Sequence, residues 1–547
     1  MLRPDYASAY ERFDLAALQR QFAGSFEEGI NACVECCDRY ADTDRIALRY
    51  VGQDGTSASL TFKQLTQAAA RFANFLKSQS IGKGDVVAGM LPRIPATIIT
   101  IMGTLRAGAV YQPLFTAFGP RAVEQRLNTS KAKLVVTDPG NRPKLEEVNN
   151  ASTIMVVGGG AKPLRPSDFD FDAALAGQSP SFAPVLLRGD DAMLLMSTSG
   201  TTGLPKGVPV PLNALPSFRA YMVDAVDLRP DDRFWNIADP GWAYGLYYAV
   251  IGPLLLGAAT TFYDGPFTAD STVQVIRQLD INNLAGSPTA FRLLIAANPA
   301  TMAQIKGRLR VVSSAGEPLN PEVIRWFAST LDAPIRDHYG QTETGMVVCN
   351  HHALAHIEHV GSAGLPMPGY KVAVLDEAGN ICADNHPGVL AVDMAHSPLH
   401  WFKGYLQQET PSIGGGYYRT GDSVEREPDG TISFVGRADD IITSSGYRIG
   451  PFEVESALIE HPSVVESAVV AKPDPDRLEA VKAFVVLAAG VQPTAALAEE
   501  LQIFVKRSLS AHAFPREIEF VTQLPKTPSG KLQRFILRNQ EYAKAGK

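Results

Sequence analysis

Apolar positions along most of this chain alternate between two rhythms, one of amphipathic helices and one of short buried strands. Thr61–Ser78 repeats at the helical period, and Ala96–Ala107 is an apolar helix stopped at Gly108. Around them lie uninterrupted apolar runs, Asp85–Leu91, Val110–Leu114, Lys133–Thr137 and Thr153–Val157, each read as a buried strand. The alternation resumes at Met193–Met196, Thr260–Tyr263, Asn283–Ala285 and Leu309–Ser313. Strands spaced by helices in this way predict parallel sheets covered by helices. Upstream, Phe26–Tyr40 predicts an entry helix, and Ile46–Val51 with Ser57–Thr61 predicts a hairpin around Gln53-Asp54-Gly55.

After about residue 365 the texture changes to hairpins. Lys371–Leu375 is followed by Gly388–Met394, and Glu425–Glu427 pairs with Thr431–Val435 through Pro428-Asp429-Gly430. Beyond Gly436 comes a compact set: helix Pro451–Ile459, strands Val464–Ala471 and Val481–Leu487, helix Ala495–Ser510 and strand Glu517–Val521. The expected fold class is therefore α/β. A large domain over residues 1–436, with helix-covered mixed and parallel sheets and a β-rich subdomain, precedes a small mobile α+β domain over residues 437–547.

Composition narrows the class of protein. With 547 residues, 45% hydrophobic and 20% charged, the chain reads as a globular protein of more than one domain. Its formal net charge of −7 and lack of a basic tract argue against nucleic-acid partners. The longest uncharged run, between Asp239 and Asp264, is broken by Pro240, Gly245, Gly252, Pro253 and Gly257, and reads as a buried helix and strand, with no membrane span. Five cysteines, Cys33, Cys36, Cys37, Cys349 and Cys382, fit packed thiols in a reducing compartment, and the N-terminus lacks the apolar core of a signal peptide. A cytoplasmic enzyme is expected.

Chemistry concentrates first at Ser197-Thr198-Ser199-Gly200-Thr201-Thr202-Gly203-Leu204-Pro205-Lys206-Gly207. A buried strand leads into a mobile loop whose backbone N–H groups, hydroxyls and one lysine can wrap polyphosphate oxygens. Lys206 stands between Pro205 and Gly207, so this is not the Walker loop. The stretch resembles the signature of the adenylate-forming enzymes: acyl-CoA synthetases, peptide-synthetase adenylation domains and luciferases. Five further motifs stand in that family's order up to Leu532, so the resemblance covers nearly the whole chain, and it is nearest to the acetyl- and medium-chain acyl-CoA synthetase branch.

The resemblance implies a role for each motif. Thr198, Ser199, Gly200, Thr201, Thr202, Gly203 and Lys206 would bind ATP phosphates, and Gly316-Glu317-Pro318 would line the adenine pocket. In Asp337-His338-Tyr339-Gly340-Gln341-Thr342-Glu343, all assigned to the nucleotide site, an aromatic face is offered to adenine. Thr342 brings a hydroxyl to the α-phosphate and Glu343 a hard oxygen ligand for Mg²⁺. Asp422 would accept from the ribose hydroxyls, Arg437 would contact the nucleotide, and Asp439 falls at the hinge. Ser445, Gly446 and Tyr447 would face coenzyme A, with Arg448 a point of anionic contact. Lys531, in Thr527-Pro528-Ser529-Gly530-Lys531, would be the catalytic lysine of adenylation, offsetting charge on the α-phosphate oxygens. Its loop invites a lysine acetyltransferase as a regulatory partner, because acetylation would remove that charge.

The implied activity is that of an AMP-forming acid–thiol ligase. A carboxylate and ATP give acyl-AMP and pyrophosphate, the small domain then turns, and the coenzyme A thiol displaces AMP. Two features bear on the acid. Asp239-Pro240-Gly241-Trp242 resembles the Gly-Trp segment of acetyl- and medium-chain acyl-CoA synthetases, which makes Trp242 a candidate pocket wall. Acetyl-CoA synthetases carry a tryptophan just before Gln-Thr-Glu-Thr, whereas this chain has Gly340, so an acid larger than acetate is expected: medium-chain, branched or small aromatic. Two alternatives stay open, acyl transfer to a separate carrier protein and an inactive nucleotide-binding regulator.

Overall fold

The computed structural model describes residues 3–150, 152–158, 165–199, 205–444, 447–474, 477–509, 513–527 and 532–545, without the side chains of Ser199 and Arg448. Among the described residues the strands form five sheets, and two of them hold the large helix-covered core. In the first, Phe169–Asp170, Thr153–Val156, Leu134–Thr137, Val86–Met90, Val110–Pro113 and Ala192–Ser199 run parallel in that spatial order, and Pro205–Pro211 closes the edge antiparallel. In the second, Phe234–Asn236, Asn283–Gly286, Val311–Ala315 and Ile335–Gln341 run parallel, with Gly345–Cys349 and Leu365–Pro366 antiparallel beyond them. Ile46–Gly52 pairs with Ser57–Thr61 as expected and also with Thr260–Asp264, which ties the N-terminal hairpin to the middle of the chain.

The helices follow from their sequences. Phe62–Ser78 begins at Thr61, whose hydroxyl accepts from Gln64 N while the Gln64 side chain accepts from Thr61 N, a reciprocal cap. It buries Phe62, Leu65, Ala69, Phe72, Ala73 and Leu76, spaced by three and four residues, against Pro95–Arg106. That partner helix is buried on nearly every face, and a Cβ at Gly103 would lie 2.6 Å from Phe72 Cβ, so glycine permits the close crossing. No helix of the described residues is long and apolar enough to cross a membrane.

Two expectations change. The entry helix shrinks to Ala32–Cys36, with a 3-10 turn at Asp38–Tyr40. Before it, Ser25 and Gly29 bridge and Ile30 pairs with Leu187, so the backbone of this segment is drawn into sheet-like contacts. The stretch read as one mobile loop from Ser197 to Gly207 has strands on both sides, with Thr198 opposite Lys206 and Ser199 opposite Pro205; residues 200–204 lie outside the described residues.

The β-rich portion contains Val372–Leu375, Gly388–Asp393, Ile413–Gly414, Tyr417–Arg426 and Ile432–Arg437. Past it, Ile442–Ser444, Tyr447–Ile449, Val464–Asp474 and Leu478–Leu487 form an antiparallel sheet joined in parallel by Glu517–Phe520. Helices Pro451–Ile459 and Ala495–Ser508 pack on it around their own apolar core of Ile442, Val454, Leu458, Val469, Val481 and Leu501. A last helix, Arg534–Lys544, was not anticipated; only Leu537 and Glu541 of it are buried, a weak apolar signal.

Candidate active site

The site residues gather at the carboxyl ends of the second sheet, where open α/β sheets present their ligand crevice. Strand Val311–Ala315 ends at Gly316-Glu317-Pro318, and Ile335–Gln341 carries Asp337 to Gln341 toward the turn with Thr342 and Glu343. The β-rich portion closes over this edge. Asp422, on Tyr417–Arg426, accepts from the Tyr339 hydroxyl, from Gln341 Nε2 at 2.7 Å and from Arg437 Nη1 at 3.2 Å. Gln341 also donates to Thr420 O at 3.0 Å and accepts from the Tyr418 hydroxyl at 2.8 Å. Burial, then the neighbouring Asp422 charge, raises the Tyr339 phenol, so it stays a donor.

Beside this cluster lies a second group built on Lys206, Tyr405 and Glu343. Lys206 Nζ sits 4.7 Å from the centre of the Tyr405 ring, and the Tyr405 hydroxyl donates to Glu343 Oε1 at 2.9 Å. The backbone repeats the link, since Leu406 N donates to Gly207 O at 2.8 Å. Thr342 is half-buried, and its carbonyl accepts from the Tyr247 hydroxyl at 3.0 Å. Nothing local in Phe402-Lys403-Gly404-Tyr405 announces this role, so sequence reasoning missed Tyr405.

On the opposite side, Glu317 accepts from the Thr289 hydroxyl at 2.9 and 2.8 Å and from Arg292 Nη2 at 3.2 Å. Gly316 adopts φ +96°, which bends the chain away from its strand. Asp337 is buried and accepts from Leu319 N and His338 N, both at 3.1 Å; burial pushes its carboxyl up to about 8. Burial pulls His338 down to about 3, so the ring is neutral. Its Nε2 lies 3.2 Å from Asn350 O, which assigns the proton there and leaves Nδ1 to accept from the Tyr221 hydroxyl at 2.8 Å. Both side chains are turned into the protein with their polar atoms engaged.

Trp242 is half-buried between Phe115 and Phe118, with ring centres 5.4 and 5.5 Å away, and its buried indole N–H has no partner among the described residues. Gly340 stands where the hairpin register shifts, and a Cβ there would lie 2.2 Å from Gly345 O and 2.7 Å from Met346 Cα. Position 340 therefore contributes no side chain to the site. Asp439 is exposed and accepts from Arg437 Nε at 3.4 Å, and its carbonyl accepts from Arg538. Tyr447 is 53% exposed. Gly200, Thr201, Thr202, Gly203, Ser445, Gly446 and Lys531 lie outside the described residues.

Cys33, Cys36, Cys37 and Cys349 are buried free thiols, and the described residues hold no group of three His, Cys, Asp or Glu placed to bind a metal. The arrangement brings a carboxylate, a guanidinium and phenols together beside a lysine and a second carboxylate.

Comparison with known proteins agrees with this architecture. A family model described as AMP-binding enzyme matches residues 36–406, and one described as AMP-binding enzyme C-terminal domain matches residues 453–531. The acetyl-coenzyme A synthetase of Bacillus subtilis is 38% identical over 98% of this chain and 95% of its own. The mitochondrial acyl-coenzyme A synthetase ACSM4 of Rattus norvegicus is 36% identical over 91% and 87%. The crystal structure of an acyl-CoA synthetase from Brucella canis shares 61% identity, covers 99% of this chain and 100% of that one, and superposes with a TM-score of 0.81. The chain belongs to the AMP-binding, adenylate-forming enzyme family. Within it, the chain is an AMP-forming acyl-CoA synthetase, an acid–thiol ligase of a group that uses ATP and coenzyme A.

Proposed function

We propose that this ligase activates a carboxylic acid larger than acetate, drawn from medium-chain, branched or small aromatic acids, and passes it to coenzyme A. The observation carrying the nucleotide reading is the convergence of Tyr339, Gln341 and Arg437 on Asp422. Tyr339 and Gln341 meet at Asp422 Oδ2 and Arg437 at Oδ1, which leaves Oδ1 able to accept from a ribose hydroxyl, while Tyr339 offers its ring to adenine and Gly316-Glu317-Pro318 the wall beside it. Thr198, Ser199, Lys206 and the loop between them bind the phosphates; Thr342 meets the α-phosphate, and Lys531 offsets the charge that grows there in the transition state. After adenylation the small domain, residues 437–547, turns about Asp439 and brings Ser445, Gly446, Tyr447 and Arg448 to the coenzyme A side.

Mg²⁺ fits this donor set. Glu343 is a buried carboxylate with no His, Cys, Asp or Glu cluster around it among the described residues, the single-carboxylate arrangement Mg²⁺ takes when substrate phosphates supply other ligands. When bound, the ion neutralises phosphate charge.

The size reading rests on the sequence, which lacks a tryptophan before Gln341, and on Trp242 as a wall; in this backbone a Cβ at position 340 points at Gly345 O, so the space itself is not drawn from that glycine. The reading stands beside relatives named for both acetate and broader acyl groups. The test is pyrophosphate release with ATP and Mg²⁺ across acetate, isobutyrate, octanoate and benzoate, with and without coenzyme A. A peak above acetate, with thioester only when coenzyme A is present, is the expected result; a peak at acetate rejects the size reading.

A further inference from the structure

We propose that Asn320 and Ser456 are the pair that registers the small domain against the adenine loop in the adenylate-forming orientation. The inference rests on the two-step reading above. Asn320, just past Gly316-Glu317-Pro318, is 3% exposed, and its Nδ2 donates to Ser456 Oγ at 2.9 Å. Ser456 belongs to helix Pro451–Ile459, on the other side of the hinge. The second end of the same amide is also in use, since Asn320 Oδ1 accepts from Arg292 Nη1 at 3.3 Å. Arg292 in turn holds Glu317 and the Thr289 hydroxyl, the latter at 2.8 Å. A continuous chain of hydrogen bonds thus runs from the small domain to the carboxylate beside Gly316.

The same helix also holds the start of the last helix. Glu455, next to Ser456 and buried, grips Arg534 through two bonds of 2.8 and 2.6 Å. Arg534 opens the last helix, three residues after Lys531. Burial pulls the Arg534 pKa down, but the charges of Glu455, Asp440 and Glu317 more than offset this and hold it cationic. Positioning Ser456 therefore positions Arg534, which follows Lys531 by three residues in sequence. Arg325 and Glu460 add a rim contact at 2.8 Å, but both are well exposed and worth little.

Any rotation about Asp439 must break the Asn320–Ser456 bond, because its partners lie on opposite sides. Breaking it exchanges the bond for one to water once the small domain has moved, so the bond contributes a modest bias toward the docked orientation. Arg292 then loses Asn320 only if the amide turns, so the adenine loop senses whether the small domain is docked. Asn320 and Ser456 are positioning residues and touch no substrate.

The test uses the full chain and separates the half-reactions. Acid-dependent pyrophosphate release without coenzyme A reads adenylation, and thioester formation from synthetic acyl-AMP reads transfer. Ser456→Ala should slow the first about threefold to tenfold and leave the second unchanged or faster, and Ser456→Thr should restore the first. Equal slowing of both steps, no change in either, or failure of threonine to restore would overturn the proposal. Spin labels at exposed Leu186 and Ile503, with Cys382 replaced by serine, give a readout besides activity. Ser456→Ala should add a second distance population, and a distribution identical to that of the unsubstituted chain would overturn the proposal. An unsubstituted chain that releases no pyrophosphate with any acid would instead remove the two-step reading beneath it.

Discussion

Tyr405 donates its hydroxyl to Glu343 Oε1 at 2.9 Å while Lys206 lies 4.7 Å above the same ring. One side chain therefore fixes the spacing between Lys206, on the strand Pro205–Pro211, and the carboxylate proposed to hold the metal. Burial, then the Glu343 charge, raises the Tyr405 phenol, which keeps it a donor at any physiological pH.

Removing the hydroxyl tests that spacing. Tyr405→Phe keeps the ring under Lys206 and loses one hydrogen bond to a charged group, a contact worth about 1.5–3 kcal/mol. Pyrophosphate release should fall at least about tenfold, with a higher Mg²⁺ concentration needed for half-maximal rate. Mn²⁺ binding followed by electron spin resonance in the presence of ATP should weaken in parallel. Unchanged metal dependence would assign Tyr405 to packing alone.

Asp422→Asn asks whether the carboxylate organises the nucleotide site. The substitution removes the charge opposite Arg437, and its amide can no longer accept at both ends from Tyr339, Gln341 and Arg437. ATP binding should weaken about tenfold or more, by the ~1.4 kcal/mol that each tenfold represents. Titration calorimetry with ATP would measure this, and the affinity for the acid should change far less.

How much of this could be read from the chain follows from distance along it. Val86–Met90 and Leu134–Thr137 were legible because a strand buried on both faces is largely apolar, whereas Val311–Ala315 buries Ser313 and Ser314 and showed only its apolar start. The entry helix over Phe26–Tyr40 was overextended because Ile30 finds a partner in Leu187, a pairing no local window contains. Tyr339, Gln341 and Asp422 were named by motif, yet their mutual contact spans 83 residues between Tyr339 and Asp422. Tyr405 and Arg292 carry no local signature, and Tyr418 lies inside the Tyr417–Asp422 motif with no role assigned; all three act through residues folded against them. Asp337 was named with the nucleotide motif, but its burial and its bonds to Leu319 and His338 depend on the sheet around it.

Buried histidines set the acid side of the stability curve. Burial lowers His338 to about 3, and the same cause lowers His351 and His352. The unfolded chain takes up these protons near pH 6.5 while the folded chain does not, so stability is lost as pH falls below that value. Asp337 has the opposite sign. Its unfolded carboxyl ionises near 3.8 and its folded one near 8, so its contribution is present below 3.8 and lost as pH rises toward 8. From about pH 6.5 to 8 the histidine contribution is complete and that of Asp337 still falls, by about 2 kcal/mol. Asp337→Asn should flatten the decline of Tm across that window in calorimetric scans and leave the acid-side loss in place.

Gly340→Ala distinguishes a glycine that makes room for substrate from one demanded by the backbone. The added methyl would meet Gly345 O at 2.2 Å and Met346 Cα at 2.7 Å, so the hairpin must open. Both contacts are main chain, and neither can rotate away as a side chain would. Overpacking of this kind costs about 1–3 kcal/mol, so Tm should fall by about 1–3 °C in a chain of this size. The displacement is passed to Thr342 and Glu343 in the turn between the two strands. Pyrophosphate release should therefore drop for every acid in the panel, long and short alike. Retained Tm with a selective loss of the longest acids would mean that the new methyl points into the acyl pocket, and that the hairpin tolerates it.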